Sequence, residues 1–341
     1  MCTSLKACVY REPFKVSFEE IPYPKISKNE VMVKVIMAGI CGSDLEIYRG
    51  KRSVKPPLVL GHEAVGVITD IGENVSGFNV GDTVVIEPNI YCGECYYCRK
   101  GRMNICERKI IYGVTRNGVF AEYVEAPSKF LWRIPENMPY EAAVLVEPLS
   151  VVLRAIRHLN ILPSDNVLVL GGGPIGAMTA LTLEYMNTNV VITEIVSSRV
   201  KILKEIGIRK VVNTQDPSAD EVIKNYFDGD KADYVIDTVG TGRTFAQLFK
   251  WIKPGGKAIV LGLTGHKAEV EVFPLVRGEL SIEGSIIYVG DYYDAIRLLR
   301  RRDFADKIVK VITHRFRLEE CAKAFEVADK GEGLKVVFQM Q

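Results

Sequence analysis

No uninterrupted apolar stretch in this 341-residue chain is long enough to span a bilayer, which excludes an α-helical membrane protein. The opening Met1-Cys2-Thr3-Ser4-Leu5-Lys6-Ala7 has no apolar signal core, so the expected compartment is the cytoplasm. A net charge of only +2, with the signs interspersed, leaves no basic stripe and no expectation of a nucleic-acid partner. No solenoid-type period recurs. Glutamine is rare, at four residues, against many Ile, Val, Lys and Glu, a compositional trend of heat-stable proteins. What remains is an ordinary water-soluble composition, 48% hydrophobic and 25% charged, with length for two domains that each bury a core.

Cysteine is used unevenly: of eight, four fall between 92 and 106. In a chain without a leader this predicts metal ligation rather than a disulfide framework. Cys92, Cys95, Cys98 and Cys106 follow C-x2-C-x2-C-x7-C. Four thiolates close the tetrahedral shell that zinc prefers and leave no open position, so a structural zinc is expected. An iron–sulfur cluster is the alternative, but the ferredoxin run has its fourth cysteine nearer and before proline, whereas Cys106 precedes Glu107. Cys41 in Gly39-Ile40-Cys41-Gly42-Ser43-Asp44 and His62 in Gly61-His62-Glu63 each stand beside glycine and an apolar strand. Rigid backbone of that kind suits a second zinc site, although either residue alone is as readily an ordinary core side chain. Glu147, at the start of an apolar helix with Pro148 in its first turn, either complements the helix dipole or faces that metal.

The segment Asp165 to Thr182 reads as a buried strand, a glycine turn and a helix. Gly171, Gly173 and Gly176 form G-x-G-x-x-G directly after Val167 to Leu170, the context in which the pattern means dinucleotide binding. Gly171 permits the tight turn, Gly173 lets backbone N–H groups approach a pyrophosphate, and Gly176 lets helix and strand pack closely. The next strand, Val190 to Thr193, ends in Glu194, which would accept from a ribose 2′-OH and repel a 2′-phosphate, favouring NAD over NADP.

Around these motifs the first forty residues alternate as strands, clearest at Val31 to Met37, and further strands are expected at Gly118 to Val124 and in a small barrel. After the glycine turn strand and helix alternate, as in a doubly wound parallel sheet, ending with a strand at Ser281 to Ile287. A helix at Tyr293 to Arg302 and short strands beyond Val309 return to the first domain's character. The expected organisation is α/β: a discontinuous first domain over 1–150 and 291–341, with a nucleotide domain over 151–290 inserted in it.

Taken together, C-G-S-D at Cys41 to Asp44, G-H-E at Gly61 to Glu63, the four-cysteine lobe, E-P-L-S-V at Glu147 to Val151, G-x-G-x-x-G and Glu194 resemble the zinc-dependent medium-chain dehydrogenases, and within them the sorbitol (polyol) dehydrogenase branch. The resemblance spans essentially the whole chain. It implies a GroES-like β-barrel catalytic domain, a Rossmann domain, and an active site in the cleft between them. It further implies two zinc ions per chain, the catalytic one on Cys41 and His62 with Glu63 or Glu147 completing the shell directly or through water. NAD would bind at Gly171, Gly173, Pro174, Ile175, Gly176, Glu194, Arg199, Val239 and Leu261. The substrate would be an alcohol, polyol or sugar whose proton passes to Ser43 and on to Glu46 or water while hydride goes to NAD. A homo-oligomer, dimer or tetramer, would form through the apolar strand Leu280 to Ile287 at the sheet edge. One departure stands out: Glu46 replaces the histidine that most polyol and threonine dehydrogenases carry five positions after the zinc cysteine. Archaeal glucose dehydrogenases are similar there, which moves weight toward sugars and leaves threonine or glucose oxidation as alternatives. Glu46 is otherwise a solvated charge, and Tyr48 and Phe120 are either cleft lining or ordinary core. A non-catalytic NAD sensor and a zinc-free quinone reductase are the remaining rivals; neither needs these metal ligands.

Overall fold

The computed structural model describes residues 3–340 apart from 266 and 271. Met1 and Cys2, which open the N-terminal stretch discussed above, lie outside the described residues. The chain divides into two compact units, Met1–Pro148 with Val289–Gln341, and Leu149–Tyr288.

In the first unit a seven-stranded mixed sheet is built around Glu30–Gly39, in which Val31, Met32, Val33, Val35, Met37 and Ala38 are buried. Glu63–Ile71 pairs with it antiparallel on one side and Lys335–Gln339 on the other. The register places Gly39 opposite both Glu63 and Val337, so residues far apart in sequence meet at one end of the central strand. A three-stranded sheet of Lys15–Pro22, Ser4–Glu12 and Leu58–Val59 shares the same core, with Val9, Leu60, Phe120, Phe325 and Phe338 among its buried members.

Two local expectations shift here. The strand expected from Gly118 begins only at Tyr123 and runs to Pro127. Val119, Phe120 and Ala121 are all buried, which an alternating strand with one wet face does not allow. Their segment instead donates backbone bonds to the carbonyls of Val59, Leu60 and Gly61. The helix expected over Tyr293 to Arg302 is Asp291–Leu299, and a second helix, Arg302–Ile308, follows it.

The second unit is a six-stranded, all-parallel sheet in the order Val211–Asn213, Asn189–Glu194, Asn166–Leu170, Ala232–Asp237, Ile252–Val260, Ser281–Gly284. This is the doubly wound order in which the first strand is central and the chain reverses direction beside it, opening a crevice at the carboxyl ends. Asn166–Leu170 is central because Val167 to Leu170 is apolar on both faces and fully buried. The last strand stops at Gly284, short of the Ile287 expected, and Ile287 sits at φ +60°, a left-handed conformation that a strand cannot accommodate.

Candidate functional site

Cys41 is the N-cap of the short helix Gly42–Tyr48, and its N–H donates to Asp44 Oδ2 at 2.9 Å. The other carboxylate oxygen, Asp44 Oδ1, accepts from Gly61 N–H at 3.2 Å and lies 3.4 Å from His62 Nδ1. One buried aspartate therefore fixes both the turn that bears Cys41 and the ring of His62. Burial alone would lower the His62 pKa, but the charges of Asp44 and Cys41 outweigh it and hold the pKa well above the usual histidine value. Glu63 is fully buried and forms an ion pair with Lys335, whose Nζ donates to Glu63 Oε1 at 2.6 Å and to the Ile40 carbonyl at 3.0 Å. Glu63 Oε2 faces the same ammonium in the ion pair. Gly39 is required beside this pair, since a Cβ there would stand 2.2 Å from Glu63 Oε2.

Ligand atoms of Cys41, His62 and Glu63 lie within 4.8 Å of one another. A thiol, an imidazole and a carboxylate brought this close form a donor set that fits zinc. Glu147 is outside that triad but electrostatically coupled to it. Its pKa is pushed up to about 7, chiefly by burial, with His62 and Lys335 opposing and Glu63 and Asp44 adding to the rise. Ser43 and Glu46 sit three residues apart on the same helix and share a face. Glu46 is not free: Arg49 Nη1 lies 3.2 Å from it and Lys51 Nζ 3.9 Å. Tyr48 and Phe120 are core residues, packed against Phe325 at ring separations of 5.1 and 6.0 Å.

The Sγ atoms of Cys92, Cys95, Cys98 and Cys106 also lie within 4.8 Å of one another. The N–H groups of Glu94 and Cys95 point at Cys92 Sγ from 3.5 and 3.3 Å and bring its pKa down to about 6, as a metal-ligating thiolate requires. Burial pushes Cys98 the other way, up to about 12, a rise that a cation bound among the sulfurs would oppose.

In the nucleotide unit Gly171 has φ +97°, Gly173 caps the helix Pro174–Tyr185, and Ile175 follows Pro174 in its first turn. A Cβ on Gly176 would lie 1.9 Å from the Gly171 carbonyl oxygen, whereas one on Gly173 would meet nothing within 4 Å. The space over Gly173 is thus an open cradle at a helix N-terminus, which fits a pyrophosphate. Val239 packs over Gly171, and Leu261 N–H donates to the Asp237 carbonyl at 2.8 Å. Glu194 is buried and accepts from the N–H groups of Gly172 (3.1 Å), Ile195 (2.7 Å) and Val196 (2.9 Å), with Arg199 Nη1 at 3.8 Å.

Residues 27–136 match the Alcohol dehydrogenase GroES-like domain family and residues 174–301 the Zinc-binding dehydrogenase family. The chain is 33% identical to an L-threonine 3-dehydrogenase of Stenotrophomonas maltophilia, over 98% of this chain and 99% of that one. Among solved structures, an alcohol dehydrogenase of Escherichia coli CFT073 complexed with NADH has a TM-score of 0.91 at 32% identity, covering 99% and 100% of the two chains. A zinc-binding dehydrogenase of Sinorhizobium meliloti bound to NADP has a TM-score of 0.90 at 28% identity, covering 99% and 100%. The chain belongs to the zinc-dependent medium-chain dehydrogenase family. Its fold is accordingly a GroES-like domain with a Rossmann domain, and its chemistry is that of a zinc-dependent alcohol-type dehydrogenase using a nicotinamide cofactor. Among the described residues no helix is long and apolar enough to cross a membrane.

Sequence reasoning missed three supporting residues of this dehydrogenase. Asp44 lies inside the quoted C-G-S-D motif, and its position three residues after an N-cap was the available signal. Asp237 ends its strand as Glu194 does; its carboxylate accepts from Val239 and Gly240 N–H at 2.9 and 3.0 Å and from Thr244 Oγ1 at 2.9 Å, pinning the loop that carries Val239. Lys335 gave no signal, because nothing local distinguishes it from a surface lysine.

Proposed function

We propose that the dehydrogenase oxidises a secondary alcohol of polyol or sugar type with NAD, giving a ketone. The convergence of Cys41, His62 and Glu63 in one buried cluster carries this reading, because three protein ligands are what a catalytic rather than a structural zinc needs. Cys41, His62 and Glu63 would hold the ion, with Glu147 completing the shell directly or through water; once bound, it supplies Lewis acidity toward the alcohol oxygen, and the nicotinamide supplies the hydride acceptor. The chain's own groups do the rest. Asp44 keeps the His62 ring in one orientation. Lys335 neutralises Glu63, so that a carboxylate beside Cys41 does not exclude a second negative charge from the site. Ser43 receives the hydroxyl proton of the substrate, and Glu46, three residues on, passes it to solvent. Holding alcohol and cofactor together makes the hydride step effectively unimolecular. L-threonine is the second candidate substrate, favoured by the relatives that carry that name.

The deciving assay offers purified zinc-replete protein NAD or NADP with polyols, vicinal diols, secondary alcohols, aldoses and L-threonine, and follows nicotinamide absorbance. Polyol or sugar turnover with NAD supports the reading; silence across the panel with NAD bound and zinc present would leave a sensor. For the cofactor, Glu194→Ala removes the ribose 2′-OH acceptor and frees Arg199 to meet a 2′-phosphate. The NAD over NADP preference in kcat/KM is expected to fall by about ten- to a hundredfold; an unchanged ratio would remove Glu194 from cofactor choice.

Metal analysis is expected to return close to two zinc ions per chain, one at the cysteine lobe. Cys92→Ser should lower the melting temperature while kcat, measured on the folded fraction, changes little; full thermal stability after loss of that metal would contradict a structural role. The proposed oligomer rests on the sheet edge. Among the described residues Ser281–Gly284 pairs on one side only, and Leu263, Val272, Phe273 and Val276 are 72%, 63%, 76% and 69% exposed in the same unit. Edge-to-edge pairing with a second copy would cover them. Light scattering should therefore give at least a dimer, and Phe273→Glu should weaken it; a monomeric wild type rules the interface out.

A further inference from the structure

The parallel sheet of the nucleotide unit has two ends, and Gly171 and Glu194 belong to the carboxyl one. At the other end, where Asn166–Leu170 and Asn189–Glu194 begin, lies a cavity of about 360 Å³. Asn166 and Asn189, the first residues of those strands, both line it, together with Lys210, which immediately precedes the strand Val211–Asn213. At about 3.3 Å per residue, the stretch from Asn189 to Glu194 puts roughly 17 Å of strand between the cavity and the Glu194 carboxylate. The cavity is therefore separate from the nucleotide crevice.

Its walls are polar and hold one fixed cation. Asn189 Nδ2 donates to Asn166 Oδ1 at 2.6 Å and to the Tyr226 carbonyl at 3.0 Å, while Asn189 Oδ1 accepts from Lys210 Nζ. The Lys210 ammonium also donates to the Tyr226 carbonyl at 3.4 Å and stands 5.2 Å from the centre of the Tyr226 ring. These contacts position Lys210 without neutralising it: the side chain is half-buried and has no carboxylate partner among the described residues. Further donors are unspent. Asn166 Nδ2 and the Ser164 hydroxyl have no partner among the described residues, and neither does the hydroxyl of Thr188, which is 3% exposed and lines the same cavity. The second cation on the wall, Arg209, is taken up by Glu184, which accepts from its backbone N–H at 2.9 Å and lies 3.5 Å from its Nε. The other lining carboxylate, Asp228, is exposed, so solvent and salt screen it. A held, partly desolvated ammonium among amide and hydroxyl donors is suited to receive an oxyanion.

We propose that this cavity binds a small hydroxylated oxyanion, a sugar phosphate or a sugar acid, with the charged group on Lys210 and the hydroxyls among Ser164, Asn166 and Asn187. Amides and hydroxyls both donate and accept, which matches them to a polyhydroxylated chain. No thiol or imidazole lines the cavity among the described residues, so what binds there is held and not transformed. The inference goes beyond the dehydrogenase reading and does not depend on which alcohol is oxidised.

The test titrates glucose 6-phosphate, gluconate, inorganic phosphate and sorbitol into the zinc-loaded protein by calorimetry, with and without saturating NADH to fill the crevice. Glucose 6-phosphate or gluconate should bind one per chain in the presence of NADH, less tightly as salt rises. Lys210→Gln should lower that affinity by about ten- to a hundredfold, and Lys210→Arg should restore part of it, while any binding of sorbitol stays unchanged. Lys210 also braces Asn189, so a second variant guards against a loosened wall. Ser164 is exposed and makes no side-chain bond among the described residues; Ser164→Glu should leave the melting temperature intact and still repel the anion, and Asp228→Asn should tighten binding. Whichever of glucose 6-phosphate and gluconate shows the larger Lys210 dependence identifies the source of the oxyanion. Binding seen only without NADH would place the anion in the pyrophosphate cradle and overturn the proposal. So would the absence of anion binding, an affinity insensitive to both Lys210→Gln and Ser164→Glu, or inorganic phosphate binding as tightly as the better of the two sugar derivatives.

Discussion

Cys41→Ala and His62→Ala are each expected to lower kcat with the best alcohol by roughly 10³-fold or more, because Lewis-acid stabilisation of the reacting oxygen is worth several kcal/mol. Both variants should remain folded and bind NAD with near-native affinity. The reason lies in the division of the chain: Gly171, Gly173, Gly176 and Glu194 belong to Leu149–Tyr288, whose hydrophobic core shares no residue with the core around Cys41 and His62. Asp44→Asn should fall between wild type and these losses, at about ten- to a hundredfold, since it leaves the ligand in place but loosens the ring that carries it. The measurements are kcat, bound zinc by mass spectrometry and NADH titration by fluorescence. A variant that lacks the second zinc and still turns over would end the assignment of this cluster to the chemistry.

Lys335→Met is expected to cost about 3–5 kcal/mol of stability in the metal-free protein, the penalty for leaving a carboxylate buried without its partner. Lys335 is 2% exposed and Glu63 fully buried, so water cannot take over the lost interaction. Burial works against the charged form of Lys335, yet Glu63, Cys41 and Glu147 raise its pKa above the ordinary lysine value, so Lys335 stays charged at neutral pH. The double variant Lys335→Met with Glu63→Leu should recover most of the loss, because replacing both members of a buried pair by apolar side chains is often neutral or stabilising. Urea unfolding of the two single variants and the double closes the cycle. Strictly additive effects would show that the two residues do not depend on one another, and zinc added to Lys335→Met should return part of the stability by supplying a positive charge beside Glu63.

The two kinds of site were unequally legible in the sequence. The cysteine lobe could be read outright: its four ligands fall within fifteen residues, so local chain geometry brings them together. The glycine turn was legible for the same reason, since Gly171, Gly173 and Gly176 meet steric demands set by their immediate neighbours. The strand ends at Gly118 and Ile287 were misplaced because apolar content alone does not distinguish a paired strand from a buried segment bonded across to Val59, Leu60 and Gly61, or from a residue turned to positive φ. Glu46 was legible as a departure from the family pattern, but not its engagement by Arg49, which depends on how the helix Gly42–Tyr48 ends.

By itself the sequence determined the family, the α/β class, the order of elements in the nucleotide unit and the residues able to ligate metal, because each is written in short-range spacing or in the period of apolar side chains. Tertiary structure alone decided which carboxylate joins Cys41 and His62 in a tight triad, and what holds it there. Glu63 and Lys335 are 272 residues apart and meet only because the register of Glu30–Gly39 with its two antiparallel neighbours brings their ends together beside Gly39. Long-range pairing of this kind leaves no local periodicity to read, since its energy comes from desolvation and charge at a point where distant segments converge.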